Sequence, residues 1–513
     1  MGRVTIIGAG LAGLCAAIEL AKRNISSSLV SCQPSERAQS VLAEGGINAA
    51  LDVMGQQDSP AEHEADTLRG GVYLADPNAV RDLARHAPEI VRWLRAIGVP
   101  FQMENGKLIQ RSFGGQKKKR TAYAKSSTGK VVMTALIDEA RRYEAAGLVR
   151  RYDHHEFLSL DIQDGRCRGA FIRDAWSDAV YRFPGAVICC TGGLNGLFPG
   201  QTTGTTQNTG QAAAALFRQG VRMANLEFVQ YHPTTVQIPG KRLLISEAAR
   251  GEGGRLFTLR DGEKWYFMED KYPALGNLMP RDVISREMAL LDTPVWLDLT
   301  GLSPQTWRDK LPDLREEIRH YLGLDPAKEP VPVSPGIHFF MGGIWVDRAH
   351  RTSLRQLYAA GECACQYHGA NRLGGNSLLG AIYGGIVAAQ SAAEEAAEGQ
   401  EPVFTAASSE PAAPARIGEI LFGALGILRE EQTLQTALDA LNELPDSDQV
   451  LLGRAMLLSA LARTESRGAH TRLDYPDRDD ESFQKTTAAV YRNGTVEISF
   501  LDIPAERGKA DAN

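Results

Sequence analysis

The 513-residue chain contains no C-x-x-C pair. Its seven cysteines are Cys15, Cys32, Cys167, Cys189, Cys190, Cys363 and Cys365. None has the spacing of a zinc, iron–sulfur or c-type haem site. Cys363-Ala364-Cys365 is the nearest approach, and it is not read as a redox pair. The chain is therefore expected to hold no metal and no one-electron relay of its own. No apolar run reaches the roughly 18 residues that a membrane helix needs. The N-terminus enters a β-branched strand at once, with no basic region, apolar stretch and cleavage site in order. A cytoplasmic protein is expected, without direct membrane insertion and peripheral to a membrane only through a partner subunit. A net charge of -6 argues against nucleic acid as a partner.

What is present fits a soluble enzyme of several domains. Charged residues make up 23% and hydrophobic residues 43%, and the length exceeds what one core can fill. Val4 to Ile7 reads as a strand, Leu11 to Lys22 as an Ala-rich helix, and Ser28 to Ser31 as a second strand. Strands such as Ala186 to Ile188 then alternate with helical stretches over 79–96 and 130–145, which predicts an α/β sheet. From about 226 to 345 the pattern is irregular and rich in turns, as an inserted domain would be. It returns to α/β at Leu357–Glu362 and the helix 378–396. A Pro/Ala/Ser/Glu-rich linker is expected over 397–415, and a helical region from 416 onward, with Ile417, Ile420, Leu421, Leu425 and Leu428 on one face.

Gly8-Ala9-Gly10-Leu11-Ala12-Gly13 is a G-x-G-x-x-G set between a strand and a helix. Gly8 permits the turn, Gly10 lets backbone approach a pyrophosphate, and Gly13 lets helix and strand pack closely. The helix N-terminus favours phosphate. The acid usual at the end of the second strand is absent, since Ser31 and Cys32 stand there. That weakens a nicotinamide reading, and no second G-x-G-x-x-G supports a two-nucleotide layout. Ala359-Ala360-Gly361-Glu362 looks like the second contact of an FAD enzyme, with Glu362 facing ribityl hydroxyls.

Further motifs run in order along nearly the whole chain. They are Ala43-Glu44-Gly45-Gly46, Phe113-Gly114-Gly115, Thr191-Gly192-Gly193 and Glu227-Phe228-Val229-Gln230-Tyr231-His232-Pro233-Thr234. Ser246-Glu247-Ala248-Ala249-Arg250-Gly251-Glu252, Pro280-Arg281-Asp282 and His338-Phe339-Phe340-Met341 follow. The last are His368-Gly369-Ala370-Asn371-Arg372 through Asn376-Ser377-Leu378, and Arg463-Thr464-Glu465-Ser466-Arg467 through His470. This ordered set resembles the succinate dehydrogenase/fumarate reductase flavoproteins, a family that includes L-aspartate oxidase. The resemblance implies an α/β fold: a Rossmann-like FAD-binding domain in two parts (1–225 and 346–400), an inserted α+β capping domain (226–345) and a C-terminal helical domain (416–513).

A four-carbon dicarboxylate brings two negative charges, and desolvating them demands cationic and hydrogen-bonding partners. Arg372, Arg281, His232, His338 and Ser246 are the candidates. The resemblance assigns His232, Ser246, His338 and Arg372 to carboxylate binding, Arg281 to acid/base work, and Glu247 and Arg250 to its proton path. Phe113 and Gly114 would lie against the substrate. Gly8, Gly10, Gly13, Ser31, Gly45, Gly46, Thr191, Gly192, Glu362, Asn376, Ser377 and Leu378 would contact FAD. Glu465, Arg467 and His470 read as structural.

Departures from the family refine the expectation. Covalent members carry a histidine where Gln39 stands, and glutamine cannot form that link, so FAD is expected to be non-covalent. That disfavours succinate oxidation relative to fumarate reduction. L-aspartate oxidases carry a glutamate at the position of Phe113, placed to meet an ammonium. An apolar ring favours a substrate without an amino group, so fumarate reduction is preferred over oxidation of L-aspartate to iminoaspartate. Gln211 stands where the family has Asp. An iron–sulfur or other electron-transfer protein is the expected partner, and a flavoprotein module of a larger complex is the alternative. The run Lys117-Lys118-Lys119-Arg120 reads as a solvated loop, with a positive collar for the substrate as the functional alternative.

Overall fold

The computed structural model describes residues 3–125, 127–396, 401–407 and 416–505. Its centre is a five-stranded sheet in the order Leu357–Ala359, Ala186–Cys189, Arg3–Ile7, Ser26–Ser31, Val149–Asp153. Every neighbouring pair is parallel. Such a sheet is covered on both faces, which explains runs like Val4–Ile7 and Val187–Ile188 that are apolar without alternation. The helices Leu11–Lys22 and Asn376–Glu394 pack on it side by side. Their approach needs glycine, because a Cβ on Gly385 would lie 2.3 Å from the Ala12 carbonyl oxygen. The edge strand and the second helix enter the sheet only after the inserted region. The crevice at the carboxyl ends of the strands is thus walled by segments distant in sequence.

The inserted region forms a six-stranded sheet in the order Lys241–Leu244, Val229–Ile238, Val331–Phe340, Val295–Asp298, Arg255–Arg260, Glu263–Trp265. It is antiparallel throughout and has its own core, around Phe267, Leu297 and Ile318. Helices Arg281–Ala289 and Pro312–Leu322 flank it.

Beyond 416 the chain is helical over Ile417–Ala424, Glu431–Asn442 and Asp448–Ala462. A hairpin of Lys485–Arg492 and Thr495–Asp502 then joins Met223–Ala224 in a separate sheet, which a helical pattern does not announce. Leu428 leaves the helical face and pairs with Thr471 in a short strand. The expected linker needs correction too. Val403–Ala407 is an edge strand on Ala179–Pro184, while 397–400 and 408–415 lie outside the described residues. No described helix is long and apolar enough to cross a membrane. No cluster of three or more metal-ligating side chains occurs among the described residues.

The positive collar is not formed by Arg120. Its side chain is fully buried and pairs with Asp58 at 2.9 Å and Asp66 at 3.0 Å. It anchors the loop and offers nothing to a ligand.

Candidate active site

One continuous cavity of about 730 Å³ runs from the glycine fingerprint to the inserted sheet. At one end it is lined by Gly8, Gly10, Ser31, Cys32 and Gln39, and in the middle by Gly45, Gly46, Thr191, Gly192, Glu362, Ser377 and Leu378. At the other end stand Phe113, His232, Ser246, Glu247, Arg281, His338 and Arg372. Residues spread from 8 to 378 thus meet in one space.

The nucleotide end fits a dinucleotide. Helices Leu11–Lys22 and Asn376–Glu394 both begin at glycine N-caps (Gly10 and Gly375) without side-chain caps. Leu378 and Leu11 line the cavity, so both helix starts face it. Gly13 works one layer behind: a Cβ there would lie 1.8 Å from the Gly8 carbonyl oxygen. Asn376 also lies off the cavity wall. Its amide accepts from Asn48 at 2.8 Å, donates to Thr67 at 2.9 Å, and meets His63 Nε2 at 2.9 Å. It holds the Gly375 turn in place instead of contacting the cofactor directly. The Ser31 hydroxyl is spent on the Gln33 carbonyl at 2.7 Å. Glu362 accepts from Phe340 N–H at 3.1 Å, and burial pushes its carboxyl up to about 7. On the cavity wall, such a carboxyl can accept from a hydroxyl or donate to one. Gln39 accepts a hydrogen bond from the Thr205 N–H at 2.5 Å. Gln211 opens the helix Gln211–Arg218 and lines the cavity.

The inner end is built around one ion pair. Arg281 donates to Glu247 Oε2 through Nε at 3.0 Å and Nη2 at 2.6 Å. Its Nη1 donates to Gln230 Oε1 at 3.1 Å, and Gln230 in turn donates to the Asn371 side chain and the Arg372 carbonyl. Arg250 stands behind, 3.5 Å from Glu247 Oε1, and is held by the Asn277 carbonyl at 2.6 Å. It does not touch the cavity. Burial opposes the Glu247 charge, but Arg281 and Arg250 outweigh it and hold the carboxyl below its usual range. Burial, against Glu247 and with Arg281, leaves Arg250 lowered to about 10.

His232 and His338 face each other with ring centroids 5.1 Å apart. Burial first, then Arg281, drives both well below the usual histidine range, so both are neutral. Thr203 Oγ1 meets His338 Nδ1 at 2.7 Å, which leaves Nε2 for a ligand. Arg372 stacks over Phe339 at 4.4 Å, and its buried Nε has no partner. Burial and neighbouring Arg281 lower it strongly. Such an unpaired donor in a dry pocket costs stability unless a ligand accepts from it.

One expectation changes. The N–H groups of Gly114 and Gly115 are not free for substrate, since they donate to Glu247 at 2.9 Å and to the Leu278 carbonyl at 2.9 Å. Gly114 is small because a Cβ would fall 2.5 Å from Glu247 Oε1. Gln230, Thr203 and Glu44 were not singled out by sequence reasoning. Gln230 and Glu44 lie inside motif strings, where chemistry could have marked them. Thr203 sits in a Thr/Gly-rich stretch with no distinguishing signal.

The fold and this cavity define an FAD-binding oxidoreductase. Two family profiles match the chain: FAD binding domain over residues 3–378, and fumarate reductase flavoprotein C-term over 447–509. The succinate dehydrogenase flavoprotein subunit of Bacillus subtilis (strain 168) is 38% identical, over 95% of this chain and 94% of its own. A fumarate reductase flavoprotein subunit of Mycobacterium tuberculosis is 35% identical, over 98% and 97%. A solved E. coli quinol fumarate reductase chain superposes with a TM-score of 0.88 at 30% identity, over 99% and 97%. The chain belongs to the succinate dehydrogenase/fumarate reductase flavoprotein family. It is an FAD-dependent oxidoreductase acting on the CH–CH group of succinate or fumarate.

Proposed function

We propose that this chain works chiefly as a fumarate reductase with FAD held non-covalently. The observation that carries the reading is the open charge of the inner site. Arg281 and Arg372 face the cavity with one ionised acid, Glu247, and two neutral histidines. With Arg250 behind Glu247 the excess is two positive charges, which a dianion balances, and Arg372 Nε awaits an acceptor. Phe113, buried beside Gly45, offers no charge to a substrate ammonium, which supports fumarate over L-aspartate.

FAD, when bound, supplies the hydride. Arg372, His232, His338 and Ser246 hold the two carboxylates and fix the alkene. Arg281 gives a proton to the second alkene carbon, and Glu247 with Arg250 behind it returns one. Arg281, Glu247, His232 and Arg372 are buried, and developing negative charge on carbon favours release of that proton. Gln230 keeps the guanidinium aimed. Gln39, in place of a linking histidine, supports the non-covalent cofactor and the reductive direction.

Relatives are named as flavoprotein subunits, and the cysteines lack cluster spacing. Both support an iron–sulfur or other electron-transfer partner, and membrane attachment through that partner alone. Anaerobic half-reactions test the reading. Fumarate should reoxidise the photoreduced enzyme rapidly, succinate should bleach the oxidised enzyme slowly, and L-aspartate should leave it unchanged. Bleaching by L-aspartate would make the chain an aspartate oxidase instead.

A further inference from the structure

The cavity has a second mouth, far from the fingerprint. There the turn Pro239-Gly240-Lys241 and Tyr321 are exposed, whereas Leu243, Ser246 and His232 further in are buried. With cofactor at the nucleotide end, this mouth is the route left for a small substrate. Arg242 lies on its wall. Its Nη1 donates only to neutral groups, Thr235 Oγ1 at 3.0 Å and Ser334 Oγ at 2.9 Å. Its Nε is buried without a partner. No carboxylate of the described residues forms an ion pair with it. The stem is wedged over Gly336, where a Cβ would lie 2.4 Å from Arg242 Cδ, and Gly336 pairs with His232 in the ladder. The guanidinium is thus fixed on the strand pair that carries His232, one step outside the inner site. Exposed Lys241 stands beside it, 5.2 Å from the Tyr321 ring. Glu317 is the acid on this stretch of lining, and burial pushes its carboxyl up, which weakens its opposition.

We propose that Arg242 is a steering residue that captures the incoming dianion at the mouth and passes it to Arg372 and Arg281. This rests on the dicarboxylate reading above. A half-buried cation is screened less than a surface one, and a charged funnel raises association rates by 10- to 1,000-fold in general. The test uses the holoenzyme and malonate, a dicarboxylate with no double bond to reduce, followed by stopped-flow flavin absorbance. Arg242→Gln should slow association by about 5- to 10-fold at low ionic strength, and the gap should close towards about 0.5 M salt. Arg242→Lys should keep most of the rate. In turnover the loss should fall on kcat/KM for fumarate and not on kcat. Wild-type association by Arg242→Gln at low salt, or a deficit independent of salt, would overturn the proposal and leave Arg242 as a brace of the hairpin. A wild-type holoenzyme that binds neither malonate nor fumarate would overturn the dicarboxylate reading itself, and this inference with it.

Discussion

The molecule buries two clusters of arginine, and they are finished differently. Near the C-terminus, Arg463 pairs with Glu227 at 2.7 Å and Glu465 at 2.8 Å, and Arg467 pairs with Glu465 at 2.7 Å. Arg429 donates to the Glu227 carbonyl and to His470 Nδ1, and His470 Nε2 meets the Arg463 carbonyl at 3.0 Å. Every guanidinium nitrogen of Arg429, Arg463, Arg467 and Arg472 finds an acceptor. On the cavity wall, Arg372 Nε finds none. Buried arginines whose nitrogens are all taken lock segments together, here 227, 429 and 463–487. Buried charge left open on a cavity wall is a site waiting for its counter-ion.

Substitutions in the two clusters should therefore fail in different ways. Arg281→Gln should lower kcat by about 1,000-fold or more with FAD content near wild type and a far smaller loss of stability than Arg463→Leu, because proton delivery is lost while Arg250 still pairs with Glu247. Arg463→Leu should instead cost about 3–5 kcal/mol of stability, read by denaturant unfolding, because it strands Glu227 and Glu465 in the interior. The folded fraction should keep its turnover. Gln230→Leu should fall between these extremes. It frees Arg281 Nη1 from its guide, which costs about 10- to 100-fold in kcat, and leaves the Asn371 side chain and the Arg372 carbonyl without their donor, at about 1–3 kcal/mol.

The smallest effect is on pH dependence. Burial pushes Glu44 up to about 8 and Glu362 to about 7. The folded state holds these protons more tightly than the unfolded chain. Their stabilisation is complete below the unfolded value and is lost as pH rises through about 7 and 8. Burial lowers His63 and His350 to about 4, so their contribution is lost as pH falls from the usual histidine value towards that figure. Apoprotein should melt at a lower temperature at mildly alkaline pH than at mildly acid pH. Glu44→Gln should flatten the alkaline side, as a series of melts across pH would read.

The parallel sheet was legible because its strands are short apolar runs beside an Ala-rich helix and a glycine turn. The observed helix Leu11–Lys22 has the bounds that the pattern predicts, and the helix expected over 378–396 begins two residues earlier, at Asn376. The hairpin Lys485–Asp502 was not legible. Its outer strand alternates between half-buried and exposed positions, a weak signal beside strong helices. At the site, arginine and histidine in motif strings pointed to a dianion, but spacing could not tell where backbone N–H groups point. Gly114 therefore read as a substrate contact, whereas it serves Glu247. In the cation run only Arg120 departs from the solvated-loop reading, because it meets Asp58 and Asp66 in three dimensions, while Lys117 and Lys119 stay exposed.

The sign of a stability change tests the contrast most directly. Arg372→Leu should leave the ligand-free protein as stable as wild type, or more stable, by thermal and denaturant unfolding. It removes a buried cation whose Nε has no partner, while dicarboxylate binding is lost. Arg463→Leu, measured alongside, should be strongly destabilised. If Arg372→Leu is destabilised as much as Arg463→Leu, Arg372 belongs to the scaffold, and the open-charge account of the active site is wrong.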